Sequence, residues 1–375
     1  MQKVLRKMEH VEIYHREGEY PAWPANYGLW AWGNEIVAIF SLGFKGAQEG
    51  LHARDMNRPF IGQQARSLDG GRTWVAEPFN GAIPGGTTLS GDEHVIPALQ
   101  CQPNIDPDSD LPPLDTPLDF TDPETIVMCA RTGLVEGAIS WFYVSRDRAH
   151  SWSGPFRLGD FGQKGISART DIVPLSKHEA LFFLTAVKAN GQEGRVFCAQ
   201  TADGGRTFAL RSFVGEEPDG FAIMPASLLL ANGEILTMVR CSGPLDGKRR
   251  AWIAQYRSSD KGLTWQQEED AVANTGYGGN PPTLNRLADG RLLLVYGYRD
   301  APFGIRARIG DPLGHTWGDE LILRQDGGMS DLGYPRTVIL ENGSALTVYY
   351  FNHGADTDRY IAGTLFEPMA VSTSV

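Results

Sequence analysis

Six side chains that can carry protons stand near the starts of strand-like segments or in one long polar loop. They are Asp55, Asp122, Asp171, Asp331, Tyr334 and His52. Two carboxylates that face each other across a cleft can serve as general acid and as base or nucleophile at a glycosidic bond. A tyrosine, or a histidine near neutral pH, could also carry the proton. These residue types predict acid–base catalysis on a carbohydrate, with the six side chains as catalytic candidates.

Six further side chains are candidates for binding the substrate. They are Trp23, Arg54, Arg169, Asn280, Arg306 and Arg336. An arginine can bind a sugar carboxylate or hydroxyl group through charge-assisted hydrogen bonds, and an indole can stack on the apolar face of a sugar ring. Any one of these residues could equally belong to a solvated loop or an internal ion pair, so the prediction depends on their convergence. The predicted partner is a glycan or a small sugar.

One long loop is distinguished by its length and polarity. It has the sequence GFKGAQEGLHARDMNRPF (43–60) and contains His52, Arg54 and Asp55. Loops longer than a hairpin requires are often functional. The acidic stretch NIDPDSDLPPLD (104–115) lacks the residue spacing of a calcium loop, and no other segment has metal-ligand spacing. We therefore expect chemistry without a metal or a cofactor.

A turn with one recurring pattern punctuates the chain. It is written SLDGGRTW (67–74), SRDRAHSW (145–152), TADGGRTF (201–208) and SSDKGLTW (258–265), with a degenerate copy GDPLGHTW (310–317). After a first interval of 78 residues, the closing aromatic recurs every 52 to 57 residues. This period is typical of a four-stranded propeller blade. The Asp can accept backbone N–H groups within its own turn, and the Gly supplies a positive φ, so we expect structural corners without a catalytic role.

The pattern S/T-x-D-x-G-x-x-W/F resembles the Asp-box, or BNR repeat, of the sialidase superfamily. The resemblance covers nearly the whole chain and implies an all-β fold, a single domain that forms a six-bladed β-propeller. It divides the chain into blades at roughly 20–80, 81–160, 165–215, 216–270, 275–325 and 328–367. The last segment has too few strands, so the strand-like segment 10–15 is expected to complete it and close the ring.

The same resemblance implies roles for individual residues. Sialidases use a Tyr nucleophile assisted by a Glu, an Asp acid/base and three Arg. Tyr334 stands nine residues before Gly343 in GYPRTVILENG, which matches the family's Tyr in blade and offset. The position of the Glu falls on Met224, and that of the first Arg falls in PAWPA, at Ala22 or Trp23.

The remaining catalytic positions have looser counterparts. Arg249 or Arg250 and Arg306 are candidates for the second and third Arg, and Asp55 matches the acid/base by blade and loop. The resemblance thus implies a sialidase-like glycoside hydrolase with an incomplete Arg set. Two alternatives stay open: a polysaccharide lyase that uses His or Tyr beside an Arg on a uronate-containing glycan, and a carbohydrate-binding propeller without catalysis.

Composition excludes several other classes of function. The 375 residues carry a formal net charge of −11 without any Lys/Arg run, which argues against nucleic-acid and anionic-membrane partners. No apolar run has the length of a membrane span. The segment MQKVLRKMEH lacks the apolar region of a signal peptide, so a cytoplasmic location is expected for the chain as given, with a trimmed signal as the alternative. Cys101, Cys129, Cys198 and Cys241 lie far apart and are expected to be reduced. The oligomeric state is open.

Overall fold

Short apolar runs bounded by Gly-, Asn- and Asp-rich turns become strands whose two faces are both covered by neighbouring sheets. Ala180–Val187 shows this most plainly, because all eight of its residues are buried. The computed structural model describes residues 8–47, 50–85, 89, 105–245, 247–354 and 357–368. Its strands form six antiparallel sheets. The chain is an all-β, six-bladed β-propeller, which confirms the predicted fold class.

The first three blades occupy the N-terminal half of the propeller. Blade 1 contains Glu19–Ala22 (β2), Gly28–Trp32 (β3), Glu35–Phe44 (β4), Ile61–Ser67 (β5) and Val75–Pro78 (β6). Blade 2 contains Ile126–Arg131 (β7), Ser140–Ser145 (β8) and Ser153–Arg157 (β9). Blade 3 contains Ile166–Pro174 (β10), Ala180–Val187 (β11), Glu193–Thr201 (β12) and Ala209–Phe213 (β13). In blade 1, β2 and β3 both pair with β4, and the 3-10 turn Pro24–Asn26 separates them. The inner strand of this blade is therefore broken at Trp23.

The other three blades follow the same order of strands. Blade 4 contains Phe221–Leu229 (β14), Ile235–Leu245 (β15), Lys248–Ser258 (β16) and Gln266–Gln267 (β17). Blade 5 contains Pro282–Arg286 (β18), Leu292–Tyr298 (β19), Phe303–Gly310 (β20) and Leu321–Gly327 (β21). Blade 6 contains Gly333–Ile339 (β22), Ala345–Phe351 (β23) and Tyr360–Phe366 (β24).

The N-terminal strand Met8–Tyr14 (β1) closes the ring. It pairs antiparallel with β24, from Met8 opposite Phe366 to Tyr14 opposite Ile361, and becomes the outermost strand of blade 6. An uncovered β24 would present unpaired backbone groups at a sheet edge. This pairing confirms the predicted closure of the last blade by the N-terminal strand.

The recurring turns join the third and fourth strands of the blades. In the first copy, the Asp69 carboxylate accepts hydrogen bonds from the backbone N–H of Arg72 and of Thr73, and the Trp74 indole donates to the Gly71 carbonyl. The carboxylates of Asp203 and Asp260 make equivalent bonds, and Asp311 accepts from Thr316. The Asp side chain is thus used within its own turn. We call this end of the propeller the turn end, and the opposite end the site end.

The rest of the described chain adds little to this architecture. Its one α-helix is the four-residue Pro107–Asp110 (α1), and among the described residues no helix has the length and apolar content needed to cross a membrane. Cys129, Cys198 and Cys241 are buried and free, whereas Cys101 lies outside the described residues. Burial raises the pKa of the Cys198 and Cys241 thiols to about 12, so both stay protonated and unreactive near neutral pH.

Candidate active site

The site end collects the beginnings of inner strands and the ends of second strands. These strands are antiparallel, so the start of one lies beside the end of the next. Tyr334 is the second residue of β22, which pairs Gly333 with Tyr350 near the end of β23. Arg169 stands early in β10, and Asn280 precedes β18. Residues that are hundreds of positions apart in sequence therefore meet at one mouth.

The Tyr334 phenol lies among arginines. Arg240 donates from Nη1 to the Tyr334 hydroxyl oxygen at 3.0 Å, and the guanidinium carbons of Arg240 and Arg299 lie 5.4 and 5.5 Å from the centre of the Tyr334 ring. Burial alone would oppose ionisation of the phenol, but the charges of Arg240, Arg169 and Arg299 together hold the pKa of Tyr334 below its ordinary value. The arginines therefore make ionisation of this phenol easier than in an ordinary tyrosine.

The backbone of neighbouring blades holds both arginines in place. Arg240 donates from Nη2 to the Gly278 carbonyl at 2.7 Å, and its Nη1 lies 3.5 Å from the sulfur of Met224. Arg299 donates to the carbonyls of Leu332 and Gly279, each at 3.0 Å, and to the Tyr350 hydroxyl at 2.8 Å. With their donors fixed in this way, the guanidinium groups cannot swing away from Tyr334.

Four second strands carry a basic residue at or near the site end. These residues, which we call the basic ring, are Arg131, Lys188, Arg240 and Arg299. None of the four is more than 5 % exposed. Sequence reasoning missed them and favoured Arg249, Arg250 and Arg306. A signal was present, because each member closes an apolar run: TIVMCAR, LFFLTAVK, ILTMVR and LLLVYGYR. These four buried side chains place positive charge at the mouth.

Asp331 lies beneath the mouth with no exposed surface. Its Oδ1 accepts the Tyr350 hydroxyl at 2.9 Å and the His52 backbone N–H at 3.0 Å, while its Oδ2 accepts the Tyr20 hydroxyl at 2.9 Å and Arg359 Nε at 3.0 Å. Burial would raise the pKa of this carboxyl, but the charges of Arg359 and Arg299 and the hydrogen bond from the His52 backbone N–H reverse the effect and lower it. Four donors occupy the ionised carboxylate, which anchors the long loop of blade 1 to blade 6.

The His52 ring contacts side chains of blade 1 and of blade 6. Its Nδ1 accepts the Trp23 indole N–H at 3.0 Å, which leaves the proton on Nε2, and its ring meets the Tyr334 ring edge-on at 6.0 Å. Burial, with further contributions from Arg299, Arg54 and Arg240, lowers the pKa of His52 to about 3, against the opposing effect of Asp331. The imidazole is therefore neutral near pH 7.

Four residues of this cluster share a left-handed backbone. The φ angles are 62° at Trp23, 60° at His52, 50° at Met224 and 52° at Tyr334. Such angles are unfavourable for residues with a side chain, and they persist where the surrounding structure enforces them. The four come from blades 1, 4 and 6 and all belong to the contacts around Tyr334. This concentration of unfavourable backbone is typical of a functional site.

Asp171 and Arg336 line the central channel. Their carboxylate and guanidinium groups lie 3.6 Å apart in a cavity of about 270 Å³ that the inner strands surround. Burial raises the pKa of Asp171, although Arg336 and the backbone N–H of Ser227 oppose the rise. Arg336 also donates to the Ala25 carbonyl at 3.2 Å. The structure thus pairs these two candidates with each other, within the channel.

Three other candidates, Asn280, Arg54 and Arg169, interact with the Tyr334 cluster. Asn280 accepts the Tyr334 backbone N–H at 2.7 Å, and the Arg54 guanidinium lies 5.2 Å from the centre of the Trp23 ring. Arg169 forms a close ion pair with Glu193 while its charge acts on Tyr334. Asp55 stands in the loop of His52, where its Oδ1 accepts the Asn57 backbone N–H at 2.9 Å.

Asp122 is at the wrong end of the propeller for the predicted role. It was placed at the start of an inner strand, but β7, which follows it, pairs Ile126 with Ser145, the first residue of a recurring turn. β7 therefore begins at the turn end and corresponds to the second strand of the other blades. The Asp122 carboxylate accepts the Glu124 backbone N–H and the Thr125 hydroxyl in a local turn.

Arg306 also lies apart from the cluster. It stands on β20, the third strand of blade 5, where its guanidinium donates to the Pro302 carbonyl at 2.8 Å and approaches Glu320 at 3.3 Å. These contacts hold the strand within its own blade. The arginines of blades 5 and 4 that contact Tyr334 are instead Arg299 and Arg240.

Comparison with solved structures gives the fold. No family model matches the chain, and no curated protein matches it. A protein of unknown function from Dyadobacter fermentans superposes with a TM-score of 0.71 at 25% identity, covering 97% of this chain and 99% of that one.

Two solved enzyme structures share the fold at lower identity. The NanB sialidase from Streptococcus pneumoniae has a TM-score of 0.59 at 11% identity, covering 95% of this chain and 70% of that one. The α-L-arabinofuranosidase from Fusarium graminearum has a TM-score of 0.59 at 13% identity, covering 93% and 97%. The chain is a sialidase-like six-bladed propeller whose structural neighbours include glycoside hydrolases.

Proposed function

We propose that this chain is a sialidase-like glycoside hydrolase whose reacting sugar carries a carboxylate or another anionic group. One observation supports this most strongly: the Tyr334 phenol, at the mouth of the propeller, accepts a hydrogen bond from Arg240 and has a pKa lowered by three arginines. A phenol with a lowered pKa can act as a nucleophile. The glycosidase neighbours are consistent with that chemistry.

The basic ring supplies the specificity for an anion. The guanidinium carbons of Arg240 and Arg299 lie 5.4 and 5.5 Å from the centre of the Tyr334 ring, so a sugar carboxylate bound to these arginines would bring its ring next to the phenol. Because these cations are buried, water screens their charge less than it would on an open surface. Charge-assisted hydrogen bonds from a guanidinium to a carboxylate would orient the sugar.

In the proposed reaction, the Tyr334 oxygen forms a bond to the anomeric carbon while the bond from that carbon to the leaving oxygen breaks. A proton must reach the leaving oxygen, and Asp55 is the proposed donor because it lies three residues after His52 in the long loop of blade 1. Water then attacks the anomeric carbon, its proton returns to Asp55, and Tyr334 is released.

Met224 explains why this chain departs from a typical sialidase. The position expected for the assisting Glu carries this thioether, which lies 3.5 Å from Arg240. Among the described residues, no carboxylate is hydrogen-bonded to the Tyr334 hydroxyl. Arginines would therefore activate the phenol by favouring its ionised form, in place of a carboxylate that removes its proton.

Activation of Tyr334 by arginines also favours a second candidate function, that of a lyase on a uronate-containing glycan. An ionised Tyr334 could remove the proton beside the uronate carboxylate while Arg240 and Arg299 stabilise the resulting charge. This chemistry needs no carboxylate pair. Its product carries a carbon–carbon double bond, which separates it from hydrolysis.

A panel of aryl glycosides and acidic polysaccharides tests the proposal. Hydrolysis of an anionic glycoside, with a loss of about 1,000-fold or more in kcat for Tyr334→Phe and little change in KM, is the expected result. Tyr277→Phe removes the same hydroxyl from a 67 % exposed tyrosine at the mouth and should keep full activity. A fluorinated sugar that traps the intermediate should add its mass to the peptide containing Tyr334.

Three other outcomes would count against the hydrolase. Absorbance at about 235 nm without release of the aryl group would identify a lyase. Full activity in Tyr334→Phe would exclude the phenol from the chemistry. Sugar binding without turnover on any member of the panel would make this propeller a binding protein.

A further inference from the structure

A groove of about 700 Å³ opens at the site end between blades 2, 3 and 4. Its walls are the turns between second and third strands, together with the segment that leads into β14. The residues that matter here are Lys188, Glu193, Phe221, Lys248 and Arg249, with Leu134 and Val135 on the blade 2 side. Neither the proposed nucleophile nor His52 lines this groove.

Three side chains connect the groove to the Tyr334 cluster. The Phe221 ring lies 5.3 Å from the guanidinium carbon of Arg240, which bonds to Tyr334. Glu193 pairs with Arg169, whose charge lowers the pKa of Tyr334. Lys188 is both a wall of the groove and a member of the basic ring. The groove therefore continues the mouth outward over blades 3 and 4.

The groove is basic on a protein that is acidic as a whole. Lys188, Lys248 and Arg249 contribute positive charge, and Asp219 contributes one carboxylate, while Glu193 is already paired with Arg169. Lys188 is only 4% exposed and donates to the carbonyls of Pro218 and Gly220. Within the described chain these are its two acceptors, so one N–H of this buried ammonium is left for a ligand.

The apolar part of the lining fits a sugar chain better than a bare anion. Phe221 is partly buried and offers a ring face, and Leu134 and Val135 add apolar surface, Val135 being 49% exposed. Sugars present apolar C–H faces to such surfaces and hydroxyl or carboxylate groups to cations. A small inorganic anion would use only the cations and leave the rest of the volume unfilled.

We infer that this groove binds the leaving-group side of an acidic oligosaccharide, so that the substrate is a chain of several charged sugars. The reacting sugar lies against Tyr334, with its anionic group bound to Arg240 and Arg299. The sugars beyond the scissile bond follow the groove past Phe221 to Lys248 and Arg249. This inference deepens the proposed function and rests on it for the placement of the reacting sugar.

Direct binding tests the groove independently of turnover. Calorimetry compares hexasaccharides of galacturonate, mannuronate and sialate with the three monosaccharides, at low and high salt. At least one hexasaccharide should bind about tenfold more tightly than its monosaccharide, and added salt should weaken that advantage. The double variant Lys248→Ala/Arg249→Ala should bind that hexasaccharide about fivefold more weakly than the wild type does, which removes most of the difference, and should bind the monosaccharide unchanged.

A matched variant controls for the loss of two positive charges. Lys177→Ala/Arg206→Ala removes the same charge from the turn end of blade 3 and should bind every ligand as the wild type does. The inference is overturned if no acidic hexasaccharide binds more tightly than its monosaccharide, or if the groove variant and this control weaken binding equally. Hexasaccharide binding in the groove without cleavage would refute the hydrolase and keep the groove. Cleavage of simple glycosides, with no hexasaccharide bound more tightly than its monosaccharide, would support the hydrolase and refute the groove.

Discussion

Replacement of Asp331 by Asn should destabilise the whole propeller. Wild-type Asp331 is completely buried, and its two oxygens accept four hydrogen bonds, from Tyr350, His52, Tyr20 and Arg359. The amide keeps one accepting oxygen but presents an NH2 group where Oδ2 stood. Tyr20 can turn its hydroxyl to accept from that NH2, whereas the Arg359 N–H can only donate.

The size of the effect follows from the buried charge that remains. Arg359 is 2 % exposed, and Asp331 is its partner at 3.0 Å. Breaking a buried ion pair by removing one partner costs about 3–5 kcal/mol, because the other charge is left uncompensated. We therefore expect the free energy of unfolding to fall by about 4 kcal/mol, a large part of the roughly 5–15 kcal/mol that stabilises most domains.

Chemical denaturation of wild type and Asp331→Asn measures this difference, and Glu124→Gln is the matched control. Glu124 pairs with Arg148 at 2.6 Å, but the two side chains are 38% and 39% exposed, so loss of this carboxylate leaves no buried charge and should cost about 1 kcal/mol or less. If Asp331→Asn is as mild as this control, the argument from an uncompensated buried charge is refuted.

The pH dependence gives a second check on Asp331. Its pKa in the folded protein is lowered, so the carboxylate contributes stability above the unfolded pKa of about 3.9, and this contribution is lost as pH falls through the folded pKa. The gap in unfolding free energy between wild type and Asp331→Asn should therefore narrow below about pH 4. A gap that is constant down to low pH would show that ionisation of Asp331 is irrelevant to stability.

Two further substitutions probe the nucleophile and the recurring turn. Arg240→Met removes the donor and a positive charge beside Tyr334, so the pKa of the phenol should rise and the pH at which kcat/KM increases should move upward; an unshifted pH profile would disprove activation by arginine. Asp203→Ala removes the acceptor of the Arg206 and Thr207 backbone N–H groups and should lower the free energy of unfolding by about 1 kcal/mol, measured by denaturation. Because this turn lies at the turn end, activity should stay within about twofold of wild type, and a larger loss of activity would assign the turn a role in the site.

Much of the fold could be predicted because its signals are local. The recurring turn is written within eight residues, and its Asp accepts N–H groups three and four positions later. The alternation of apolar runs and turns then predicted the strands, and the interval between successive turns predicted the number of blades. In blade 2 the insertion in the first interval disturbed that count, which is why Asp122 was placed at the start of an inner strand.

The residues of the candidate site could be predicted less completely than the fold, because their contacts join distant parts of the chain. Tyr334 was selected because its offset from a turn, which is a local pattern, matches that of the Tyr in the sialidase superfamily. Arg240 and Arg299 were missed because a basic residue at the end of an apolar run is typical of the end of any strand and does not by itself indicate a site. Asp331 was counted among the accessible carboxylates, since its burial depends on Tyr20 and Arg359, which are 311 and 28 residues away.

The sequence by itself determined the turns, the strands and the ring of six blades, because hydrogen bonds within a turn and the period of apolar residues act over short stretches of chain. Only the tertiary structure decided which polar residues face one another at the mouth. Neighbours from blades 1, 3, 4, 5 and 6, together with the exclusion of water, lower the pKa of Tyr334, keep His52 neutral and bury the ionised Asp331. These neighbours come together, and water is excluded, only after the ring has closed.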